Sequence, residues 1–152
     1  LWEANMEVLD PEHSGINLFD ENWKIYSRNS GMTGHRIGAD AIVENSMITD
    51  GCRIAGKVKH SILFAGVQVE EGAEVEDAVV MGGTTIKSGA VVKHCIVAEN
   101  VVIGENAVVG AMPADGEKGV ATVGPGVYVG DNAKIGPNAM VNNNVKGGDE
   151  QW

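Results

Sequence analysis

Basic residues, aromatics and long apolar runs are all scarce in this chain. Eleven Lys and Arg stand against 21 Asp and Glu, a formal charge of −10 over 152 residues. So acidic a surface is repelled by nucleic-acid phosphates and by anionic bilayers, which argues against both as partners. No apolar run approaches the ~18 residues that a membrane-spanning helix needs, and no signal peptide opens the chain, so a soluble cytoplasmic protein is expected. The two cysteines, Cys52 and Cys95, match no metal-ligand spacing. The chain is one domain in length, and it opens on Leu1 inside an amphipathic stretch, which reads as a piece of a larger protein. In place of what is missing there are 21 glycines and a preponderance of Val, Ile and Ala. That mixture suits short strands joined by tight turns.

Four segments share one pattern: V-E-N-S-M-I from Val43, V-K-H-S-I-L from Val58, V-E-D-A-V-V from Val75 and V-K-H-C-I-V from Val92. Their starts lie 15, 17 and 17 residues apart, a period that marks a solenoid. Within each repeat the aliphatics recur every five or six residues, as in Val75, Val80, Ile86 and Val92. Two positions before most of them stands a small or β-branched residue, such as Ala73, Ala78, Thr84 and Ala90; Cys52 and Cys95 fill the same slot and read as packing residues. This spacing fits neither an α-helix nor a simple alternating strand. It fits a triangular coil with three short strands per turn, the aliphatic inward and the small residue inward near a corner. Proteins of such hexapeptide repeats coil left-handed, a hand that spacing by itself does not set. The fold expected by that resemblance is all-β, a left-handed parallel β-helix of hexapeptide repeats with a short N-terminal helix and linker. Five to six turns are counted, roughly, at that period. One coil is short by two residues near 55–57.

Residues 1–36 lack the period and read as helix and linker, 37–146 as the β-helix, and 147–152 as a loose polar tail. The helix is placed at 1–9, stopped by Asp10-Pro11. The linker at 17–30 carries Leu18, Phe19, Trp23, Ile25 and Tyr26 and is expected to pack on and cap the first coil. The turn-rich stretch 110–121 interrupts the repeat as a loop.

The segments L-W-E-A-N-M at 1–6, D-x-x-W-x-I-Y at 20–26 and G-C-x-I-x-G-x-V-x-x-S-x-L-F-x-G-V-x-V at 51–69 resemble the C-terminal part of bacterial ADP-glucose pyrophosphorylases, also called glucose-1-phosphate adenylyltransferases. The resemblance implies a parent enzyme that joins ATP and glucose 1-phosphate into ADP-glucose and pyrophosphate for glycogen synthesis. Its catalytic residues, Mg²⁺ and ATP would all sit in an N-terminal domain. The present stretch would hold no catalytic, cofactor-binding or metal-ligating residue and would be inactive alone. It would build a homo-oligomer, a tetramer in the parent, with its own N-terminal domain as partner, or join a second, non-identical subunit. It would also share in allosteric control. Two arginines that hold activator phosphates in enteric relatives fall on Gly66 and Glu99, so control by fructose 1,6-bisphosphate is expected to be weak or different.

The residues also offer chemistry of their own. Arg36, Lys57, Lys59 and Lys93, with His35 nearby, are candidates for contacts to an effector phosphate, against the plainer reading of solvated surface cations. His60 and His94 share a slot two turns apart with Asp77 between, which reads as a corner ladder rather than a metal or catalytic site. Gly and Asn at 130–132, 136–138 and 142–144 read as left-handed corners. The rival readings are a hexapeptide acyltransferase using a histidine base and acetyl-CoA, or the same domain from a uridylyl- or guanylyltransferase.

Overall fold

The computed structural model of the chain describes residues 1–18, 20–26, 29–114 and 119–152. Two- and three-residue strands stack in parallel on three faces, as a period of five or six residues requires. The first face carries Arg36–Ile37, Arg53–Ile54, Gln68–Val69, Thr85–Ile86, Val102–Ile103 and Tyr128–Val129, with a last bridge from Val129 to Val145. The second runs from Ile42–Glu44 through Lys57–Lys59 and the first halves of Glu74–Val80 and Val91–Val97 to Val108–Val109, Lys134–Ile135 and Glu150–Gln151. The third holds Met47–Ile48, Ile62–Leu63, the second halves of the two long strands, Ala121–Val123 and Met140–Val141. This is the left-handed parallel β-helix expected.

It has about seven turns rather than five to six. The added rung lies at the C-terminal end. Gln151 occupies the last second-face rung where the repeat would place an aliphatic, so the pattern fades before the pairing does. The stretch read as a loose tail therefore pairs with Lys134–Ile135, supported by a Lys134–Glu150 ion pair at 3.0 Å.

Most corners have one residue in the left-handed conformation. At the corner between the second and third faces these are Asn45, His60, Asp77 and His94, with φ of 37°, 43°, 56° and 44°. Asn, Asp and His tolerate that region better than other side chains. In the expected Gly/Asn corners, only Asn132 and Asn138 have positive φ. The interior holds the aliphatics and, in the small slots, Cys52, Ala73, Ala78, Ala90, Cys95 and Ala107, all fully buried. Buried Ser61 and Thr84 in those slots donate to the carbonyls of Lys59 (2.7 Å) and Ala98 (2.8 Å), which offsets the cost of enclosing a hydroxyl.

The short coil lies where the spacing puts it. Ile54 and Val58 are four residues apart, whereas Val69 and Val75 are six apart. The corner cuts inward until a Cβ on Gly56 would stand 2.3 Å from the carbonyl oxygen of Ala73. Only glycine fits there.

The N-terminal segment differs from expectation. Helix Trp2–Met6 continues as a 3-10 turn at Glu7–Leu9, and Pro11 opens a second short helix, Pro11–Ser14, instead of ending helical structure. The first helix lies on strand Glu74–Val80. Ile62 and Val79 point outward on the third face, yet are 4% and 0% exposed, outside the interior cluster. Met6, in the helix, is buried as well. Each such side chain adds about 1.5–3 kcal/mol. The third face, the most apolar on its outer side, is thus covered in its middle by the chain itself.

Among the described residues the linker does not cover the first coil. Trp23 and Tyr26 are 72% and 87% exposed, and Ile37 and Ile42 of the first coil remain half-exposed. Side-chain turns at Asp20 and Asn29, which accept from Asn22 N–H and Gly31 N–H, fold the segment locally. Met32 reaches the solenoid over the corner glycines Gly51 and Gly66, and the carbonyl of Thr33 accepts the Gly51 N–H. Phe19 and residues 115–118 of the interrupting loop lie outside the described residues. No helix among the described residues is long and apolar enough to cross a membrane.

Candidate functional site

The expected lysines lie on the outside of the second face, in register with glutamates. One rung line reads Glu44, Lys59, Glu76, Lys93, and its neighbour places Lys57 beside Glu74. Lys57 Nζ stands 3.1 Å from Glu74 Oε1 and Lys93 Nζ 3.3 Å from Glu76 Oε2. Exposed pairs of this kind contribute about 0.2–1 kcal/mol each. More to the point, the alternation balances the lysine charge, and an incoming phosphate would have to compete with the carboxylates.

Arg36 is elsewhere, on the first face, and the structure does not bring it to the lysines. Its in-register neighbour is Arg53. Both border a recess of about 300 Å³ above the shortened corner, with Gly38, Ala55, Gln68 and Glu70 among its lining residues. Sequence reasoning missed Arg53. The signal was present, since Arg36 and Arg53 are 17 residues apart, one full turn at this register.

The corner ladder is more closely knit than expected. Asp77, nearly buried, accepts from Nδ1 of His60 on one carboxylate oxygen (2.8 Å) and from Nδ1 of His94 on the other (2.5 Å). The Trp2 ring packs against His94 at a centroid distance of 4.5 Å, and its Nε1–H donates to the backbone carbonyl of Asp77 at 2.9 Å. The Asp77 carboxylate thus ties three coils together, and the Asp77 backbone carbonyl holds the N-terminal helix. An Asp-oriented imidazole is also the arrangement of a general base. Here, however, His94 is enclosed under Trp2, and His60 lines neither the first-face recess nor the groove along the lysine ladder. Burial, and then the nearby Asp77 charge, push the Cys95 thiol far up; burial raises that of Cys52, which donates to the Phe64 carbonyl. Both are packing residues in a state unsuited to nucleophilic work. Among the described residues no three His, Cys, Asp or Glu side chains converge as a metal site.

A seven-rung parallel coil with small and aliphatic residues in alternating inward slots defines the class of hexapeptide β-helix proteins. The family described as GlmU-like, C-terminal hexapeptide, matches residues 31–130, and the chain belongs to it. Over 73 residues the chain is 55% identical to the glucose-1-phosphate adenylyltransferases of Bacillus mycoides (strain KBAB4) and Bacillus cereus (strain ATCC 10987 / NRS 248). That match takes in 48% of this chain and 19% of each relative, so the chain corresponds to a small part of their length. It is a hexapeptide domain resembling part of a nucleotidyltransferase.

Proposed function

We propose that this chain is the oligomerisation and regulatory β-helix domain of a glucose-1-phosphate adenylyltransferase. The parent enzyme joins ATP and glucose 1-phosphate, releasing pyrophosphate and forming ADP-glucose for glycogen synthesis in the cytoplasm. Mg²⁺ and ATP are held in the parent's catalytic domain, and the present chain has no activity alone. The parent is a homotetramer, with the β-helix contributing contacts between subunits. The observation that carries this reading is the 55% identity over 73 residues to enzymes of that name.

Regulation is proposed to differ from that of enteric relatives. Gly66 stands at a left-handed corner beneath Met32, and Glu99 is exposed and anionic, so neither can hold a phosphate. The test is pyrophosphate release by the full-length parent from ATP and glucose 1-phosphate, with and without fructose 1,6-bisphosphate. Turnover that the bisphosphate leaves unchanged supports the reading. No turnover refutes the assignment, and strong activation refutes the regulatory part.

A further inference from the structure

Charged rungs on this solenoid are built from opposite signs: Lys57 beside Glu74, Glu76 beside Lys93, Lys134 beside Glu150. Arg36 and Arg53 break that rule. They are direct partners on adjacent parallel strands, about 4.8 Å apart. Among the described residues neither has an ion pair or a side-chain hydrogen bond. Like charges opposite one another destabilise a sheet.

We propose that Arg36 and Arg53 form a binding site for a small phosphorylated anion in the recess over the shortened corner. Two guanidinium groups one rung apart, both lining the recess, can each offer paired N–H donors to phosphate oxygens, which point charges on lysine would not. The two residues missing from the corner make the room: Gly38 and Ala55 line the recess without bulk, and Gln68 continues the arginine row with a neutral amide. The one carboxylate bordering the recess, Glu70, is engaged elsewhere. Its Oε2 accepts from the Ser88 N–H at 3.0 Å and from the Ser88 hydroxyl at 3.1 Å. At about 300 Å³ the recess is at the lower end of small-molecule sites, which suits inorganic phosphate or a phosphomonoester and not a polymer. In a chain of net charge −10 two adjacent arginines without carboxylate partners form a local positive patch that attracts an anion.

The site is independent of the parent's reaction. A chain that binds phosphate while its parent makes a different nucleotide sugar keeps this inference and loses the reading above.

The test is titration of the 152-residue chain, labelled with ¹⁵N, with inorganic phosphate and separately with a hexose 6-phosphate, following the arginine Nε–H signals. Saturable shifts of Arg36 and Arg53 are expected with at least one probe. Arg36→Gln or Arg53→Gln should weaken binding about tenfold or more, the worth of one charged hydrogen-bonded contact. Arg53→Lys should retain part of the affinity, and Lys87→Gln should leave it unchanged, because Lys87 lies outside the recess. Tighter binding of the hexose phosphate identifies a metabolite as the ligand, and equal binding identifies free phosphate. Melting provides a second readout. In dilute phosphate-free buffer Arg53→Gln should leave Tm unchanged or raise it, since a repulsion is removed. In phosphate it should lose the ligand-induced rise seen with the parent sequence. No saturation by about 10 mM of either probe, beyond the millimolar range of useful affinity, overturns the proposal. So does binding that survives the double Gln variant.

Discussion

Replacing Gly56 with alanine places a methyl group inside the wall of the adjoining coil. The added carbon would lie 2.3 Å from the Ala73 carbonyl oxygen, 2.7 Å from that of Glu70 and 3.1 Å from the Ala73 carbonyl carbon. All three are backbone atoms, and Ala73 accepts the Lys57 N–H while Glu70 accepts the Ala73 N–H, so none can swing aside. Overpacking of this kind costs about 1–3 kcal/mol, and with rigid neighbours on one side the upper end applies. For a domain of this length about 3 kcal/mol lowers Tm by roughly 6–12 °C. The control is Gly126→Ala, where φ is +68° and nothing lies within 4 Å. There the cost is conformational alone, about 1–2 kcal/mol, or roughly 2–8 °C. Melting both variants by far-UV circular dichroism separates crowding from torsional strain. A Gly56→Ala variant that melts no lower than Gly126→Ala would refute the tight-corner account, and with it the origin of the first-face recess.

Other outcomes follow from the corner ladder and the interior. Trp2→Phe should cost about 0.5–1.5 kcal/mol through loss of the bond to the Asp77 carbonyl. Trp2→Ala should cost about 3–5 kcal/mol and expose Ile62 and Val79, read as increased binding of a hydrophobic dye; equal losses for the two would mean that the ring does not cover that face. Asp77→Asn keeps a residue that tolerates φ of 56° and removes the charge between two imidazoles, so about 1–3 kcal/mol should be lost in urea titration. Asp77→Ala should lose about 1 kcal/mol more, from the backbone. Cys52 and Cys95 should not react with a thiol reagent in the native chain at pH 8, and both should react in denaturant. Because burial raises both thiols in the fold, their contribution to stability is full below the unfolded value of about 8.5 and declines as pH climbs above it. A folded chain that labels rapidly at pH 8 would contradict this.

The interior of the fold was legible because one side-chain slot in every five or six residues must be small or aliphatic, and a coil repeats that demand many times. Val58, Leu63, Val69 and Val75 fall inward as the spacing requires, and so do Cys52 and Cys95. The C-terminal end was not legible, since Gln151 pairs through its backbone and owes nothing to an apolar side chain. Nor was the destination of the N-terminal helix. Ile62 and Val79 sit beside the inward Leu63 and Val80, and a run of two aliphatics does not say which of them faces out under a cover. For the site, Arg36 was visible as a cation and Arg53 was not singled out, because charge was read along the chain rather than across rungs. The lysines showed the opposite failing. Their spacing was right, but the glutamates interleaved with them become neighbours only when the coil closes.

The parent reaction is the claim on which the functional account stands, and one measurement addresses it directly. The full-length parent is incubated with glucose 1-phosphate, Mg²⁺ and an equimolar mixture of ATP, UTP, GTP and dTTP, and the nucleotide sugar formed is identified by mass. The account predicts ADP-glucose as the dominant product. UDP-glucose, GDP-glucose or dTDP-glucose in its place would leave the β-helix as described and contradict the adenylyltransferase reading.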